Sequence, residues 1–76
     1  MMDRKMVNFI KEQYPPGTRI RLNSMEDPYH PILPGTEGEV DFVDNEGQIF
    51  MKWDNGRTLP LAPGEDSFTV LPPKLT

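Results

Sequence analysis

The pair Asn55-Gly56, set between two runs of alternating apolar residues, constrains this chain more than any other feature. Asn and Gly best tolerate the positive φ of a tight hairpin turn, and a type I′ turn asks for it at both central positions. Ile49, Met51 and Trp53 precede the pair, and Leu59 and Leu61 follow it. The turn is expected to fix the register of two antiparallel strands. A chain of 76 residues built around such a hairpin makes one small domain, burying only about 60% of its unfolded surface. It has no cysteine for disulfides or thiolate metal sites, and one histidine, His30. Its nine prolines stand in for such staples, because they reduce the freedom of the unfolded chain.

Upstream of the hairpin, residues 3–13 read as a helix. Asp3 suits the N-cap, and Met6, Phe9, Ile10 and Gln13 fall on one face at helical spacing. Tyr14 precedes Pro15-Pro16-Gly17, which stops the helix. Such a helix packs on the β domain, covers one open end of it, or mediates self-association. Residues 18–22 alternate as a first strand, with Ile20 and Leu22 inward and Arg19 and Arg21 outward. Residues 23–35 hold three prolines and no period, and read as a long, stiffened loop. Strands are expected over 39–43, 48–53, 57–61 and 68–71. Gly38 suits a bulge or corner, Asp44-Asn45-Glu46-Gly47 a turn with Gly47 left-handed, and residues 62–66 a 3₁₀ turn. Pro60 makes one side of the fourth strand an edge or a bulge.

Five short strands joined by a long loop, a turn, an Asn-Gly hairpin and a 3₁₀ link follow the order of an SH3-like barrel. The expected fold is therefore mainly β, a small five-stranded SH3-like barrel with one N-terminal α-helix. Residues 1–14 form the helix, 15–72 the barrel and 73–76 a tail. The chain also resembles a family of small uncharacterised proteins of Gram-positive bacteria, their phages and mobile elements, known only as a domain of unknown function. The resemblance rests on Pro16-Gly17-Thr18-x-Ile20-x-Leu22 and Pro34-Gly35-Thr36-x-Gly38-x-Val40. It continues through Gly47-Gln48-Ile49, Lys52-Trp53-Asp54-Asn55-Gly56 and Leu61-x-Pro63-Gly64-x-Asp66. It covers residues 15–71, leaves the helix outside, and brings no active site with it.

Eight basic and twelve acidic residues give a net charge of −4, a poor basis for non-specific binding to nucleic acid. No apolar run is long enough to span a bilayer, and Asp3, Arg4, Lys5 and Asn8 interrupt any leader-like stretch, so a cytoplasmic protein is expected. Catalysis needs a nucleophile beside a base. Ser24 and His30 lie six residues apart without an orienting acid, and no enzyme is expected. Asp41, Asp44 and Glu46 lack the spacing of a calcium loop and read as solvated turn acids; no metal or cofactor is expected.

What remains is binding. Arg19 and Arg21 on the first strand, Arg57 beside the hairpin, and Tyr29 and His30 in the long loop are the candidate ligand-binding residues. Trp53 reads chiefly as core, and Lys52 as an adjunct to Arg57. If copies of the chain assembled, their arginines could converge on phosphates with bidentate geometry. The leading expectation is a self-associating accessory protein of a phage or mobile element that sequesters a nucleotide-type signal of host defence. That idea rests on analogy with other small phage proteins. The alternative is an adaptor that binds a protein or peptide through the same loop, and a third reading is a nucleic-acid-binding barrel, whose affinity would fall steeply with salt.

Overall fold

The computed structural model describes residues 3–29 and 31–72. Its elements in chain order are α1 (Arg4–Gln13), β1 (Arg19–Ser24), β2 (Glu37–Val43), β3 (Ile49–Trp53) and β4 (Ser67–Val70). The strands form one antiparallel open sheet in the order β3-β2-β1-β4. The protein is thus mainly β with one helix. His30 and the tail at 73–76 lie outside the described residues.

Asp3 caps α1 as expected, its carboxylate accepting the Lys5 N–H at 3.3 Å. The Tyr14 N–H donates to Ile10 O at 3.0 Å, and Pro15 prevents a further turn. The buried face differs from the one expected. Val7 and Ile10 are buried, whereas Met6 and Phe9 are about half exposed and Gln13 is exposed. A ten-residue helix lying against β2 buries a narrow stripe, and positions 7, 10 and 14 make that stripe.

Ile20 and Leu22 of β1 point into the core as their alternation requires, beside Val40, Ile49, Met51, Trp53 and Leu61. Ile32, at 1% exposure, anchors the long loop in the same core. Gly38 is not a bulge. The register shift of β2 falls between Val40 and Phe42, and Gly38 sits opposite Trp53. A Cβ there would come within 2.8 Å of both Lys52 O and Trp53 Cα. Only glycine lets β2 pass under the indole at this distance.

The hairpin corrects two expectations. Residues 57–61 do not form a fifth strand; Leu61 makes an isolated bridge to Ile49 and nothing more regular develops. Pro60 has no N–H to give, and Leu59 O accepts the Trp53 indole N–H at 2.8 Å instead of a ladder bond. Nor is the turn of type I′. Among described residues only glycines have positive φ, so Asn55 lies at negative φ while Gly56 is at +89°. The Gly56 N–H donates to Trp53 O and the Trp53 N–H to Arg57 O, each at 2.9 Å. These bonds close a three-residue loop with a left-handed glycine at its end, and the Asn55 side chain accepts the Arg57 N–H. The turn at Asp44 closes by the same pattern. There the Gly47 N–H donates to Asp44 O, the Asp44 N–H to Gln48 O, and Gly47 sits at φ +77° as foreseen. Residues 62–66 make a single turn closed by the Glu65 and Asp66 N–H groups on Ala62 O.

Candidate binding groove

The long loop leaves β1 at Met25 and rejoins the sheet at β2. Two ties shape it. The Asp66 carboxylate accepts the Glu26 N–H through Oδ1 at 2.9 Å and the Ala62 N–H through Oδ2 at 2.8 Å. One side chain thus joins the loop to the turn before β4. At the other end Arg57 donates to Pro31 O at 3.3 Å. Beside the Asp66 tie lies an open groove of ≈ 350 Å³, with Met25–Pro28 on one side and Leu59, Pro60, Glu65 and Asp66 on the other. Met25 and Leu59 are half buried against the core and give the groove its apolar lining. Glu26 and Glu65, one on each side, are exposed. The groove therefore combines the apolar side chains of Met25 and Leu59 with acidic residues on both sides.

The candidate residues of the sequence scatter around this groove rather than converge. Tyr29 is 82% exposed, so its ring does not pack on the sheet. Its backbone N–H donates to the Asp27 carboxylate at 2.8 Å, which turns the loop and sends the ring outward. Arg57 reaches the loop, as described. Arg19 is engaged elsewhere. Its guanidinium grips the Asp54 carboxylate at 3.0 and 2.6 Å and lies 3.6 Å from Glu37. Asp54 and Glu37 together raise its pKa above the usual arginine value, and only 17% of its side chain is exposed. Arg21, two residues along the same outward face, is exposed, and no carboxylate among the described residues forms an ion pair with it.

Trp53, 3% exposed, belongs to the core, and Lys52 sits 3.8 Å from Asp41. Among the described residues no group of His, Asp or Glu is placed to hold a metal. Asp44 Oδ1 accepts the Glu46 and Gln48 N–H groups and works as a turn former. Sequence reading missed the Leu59–Asp66 side of the groove. The signal was present in Pro63-Gly64-Glu65-Asp66, a turn ending on an acid, but its loop partner lies some forty positions away.

Compared with known proteins, the chain matches the family described as "Domain of unknown function (DUF4314)" over residues 3–71. The chain belongs to the DUF4314 family. The match begins at the Asp3 cap, so α1 is part of the DUF4314 domain and not an addition to it. No curated protein and no solved structure matches the chain.

Proposed function

We propose that this protein is a non-enzymatic binding domain and that the groove beside the long loop takes an extended, positively charged segment of a partner protein. The observation that carries this reading is the pairing of half-buried Met25 and Leu59 with exposed Glu26 and Glu65 in the lining of one groove. Aliphatic stems of Lys or Arg can lie along such apolar side chains while their charged ends meet the carboxylates. The two sides are tied together by Asp66, so little ordering is needed on binding. We read the fold as SH3-like, with its fourth strand reduced to the Leu61 bridge. The succession of long loop, two glycine-closed turns and a short link before β4 supports that reading.

Calorimetry with proline-containing peptides bearing two or three arginines tests the groove. Binding that weakens with salt and is lost in Glu26→Lys/Glu65→Lys is the expected result. Equal binding by that variant, or no heat from any basic peptide, overturns it. A second reading keeps its own support. The exposed Arg21, with no ion pair among the described residues, is available to an anion, and a self-associating nucleotide-sequestering protein of a phage or mobile element would use it. Nucleotides injected in the same experiment, with Arg21→Ala as the variant, separate the two.

A further inference from the structure

Strand β4 is an edge. Among the described residues it pairs with β1 alone, and the Leu71 N–H donates to Arg19 O at 2.9 Å. That bond sets the parity of the ladder. Thr69, two residues back, also turns its N–H and C=O toward β1, and Phe68 and Val70 turn theirs away from it. No described residue bonds to those outward groups. The open window is bounded on both sides. Asp66 spends its N–H on Ala62 O, and Pro72 has no N–H.

The geometry points to a second copy of this chain as the occupant, pairing β4 with β4 antiparallel about a two-fold axis at Thr69. In that register Phe68 faces Val70 of the other copy, so each open pair of groups meets an open pair. Asp66 faces Pro72, so the positions with no free donor coincide. Side chains agree with the backbone. Phe68 and Val70 lie opposite Leu22 and Ile20 and therefore on the core face, yet Val70 is 48% exposed. Tyr14 packs edge-on against Phe68, with ring centroids 5.6 Å apart, and leaves Val70 half exposed. Pairing would set each Val70 against the other copy's Phe68 and extend the sheet from four strands to eight. Charge favours the same place. The chain carries −4, yet residues 67–72 hold no charge, so two copies can meet there without opposing carboxylates. Edge strands are ordinarily guarded by Lys, by inward charges or by bulges, and residues 67–70 have none of these on their free side. Two four-residue strands bury less than the roughly 1,200 Å² of a stable complex, so the dimer is concentration-dependent. The inference is independent of the groove.

The absence of cysteine gives a direct test. Thr69 faces its own copy in a non-hydrogen-bonded pair, where Cα atoms stand about 4.5 Å apart, within disulfide reach. Thr69→Cys should cross-link to a covalent dimer under mild oxidation, and Thr58→Cys, exposed but off the edge, should not. Sedimentation of the parent across a concentration series should show reversible dimerisation, abolished in Val70→Pro, which removes an outward N–H and leaves the β1 ladder intact. A parent monomeric at every concentration, a dimer that persists in folded Val70→Pro, or equal cross-linking at both positions overturns the proposal.

Discussion

Two glycines of this chain do different physical work, and substitution separates them. Gly38 has an ordinary backbone conformation but no room, since its absent Cβ would press on Lys52 O and Trp53 Cα. Gly56 has open space around it but sits at φ +89°. Gly38→Ala should therefore lose about 1–3 kcal/mol through overpacking against backbone that cannot give way. Gly56→Val should lose about 1–3 kcal/mol through backbone strain, and Gly56→Asn distinctly less, because Asn visits the left-handed region. Urea unfolding of the three variants checks this; a Gly56→Asn as unstable as Gly56→Val would mean that space, not φ, governs the position. The Arg19–Asp54 pair is a third residue-scale case. It is bidentate but sits at the surface, with 55% of the Asp54 side chain exposed. Asp54→Asn should cost no more than about 1 kcal/mol.

Among the elements, the helix and the long loop show what alternation and spacing could and could not reveal. The extent of α1 was legible, because Asp3 caps it and Pro15 ends it, and both act within a few residues of themselves. Its buried face was not. Met6, Phe9 and Ile10 form an apolar patch by composition, but the sheet against which the helix lies selects Val7 and Ile10. Ile10→Ala should thus cost about 2–5 kcal/mol, and Met6→Ala should stay within about 0.5 kcal/mol of the parent in thermal melts. Strands β1 to β3 were legible because each buries one face, as with Ile20 and Leu22 or Ile49, Met51 and Trp53. The expected strand at 57–61 dissolved because its carbonyl at Leu59 was claimed by a side chain, the Trp53 indole, which no local pattern announces. The groove was half legible for the same reason. Its loop wall is contiguous in sequence, but the Asp66 tie that completes it spans forty positions. Asp66→Ala should leave the Glu26 and Ala62 N–H groups without their carboxylate, costing about 1–3 kcal/mol, with faster amide hydrogen exchange at both.

Taken whole, the protein is thin. It extends 37 × 31 × 17 Å, with one sheet and one helix around a core of mostly aliphatic side chains and a single indole. A core of this size leaves stability shallow, so α1 cannot be regarded as optional. Removing residues 1–14 strips Val7, Ile10 and Tyr14 from the core and from Phe68. The truncated chain should lose its cooperative calorimetric transition; a retained sharp melt would show that the sheet stands alone.

The hairpin closure has one more consequence, which concerns chemical lifetime. An Asn followed by Gly is the linkage at which a polypeptide most readily loses ammonia, because no side chain hinders attack of the glycine nitrogen on the carboxamide. Here the folded turn opposes that attack. The Gly56 N–H is committed to Trp53 O, and the Asn55 side-chain oxygen to the Arg57 N–H. Ageing at Asn55, read by mass spectrometry as aspartate and isoaspartate, should therefore run slowly in the parent. It should accelerate in Gly38→Ala, making the tip of the hairpin a built-in reporter of how often the sheet opens.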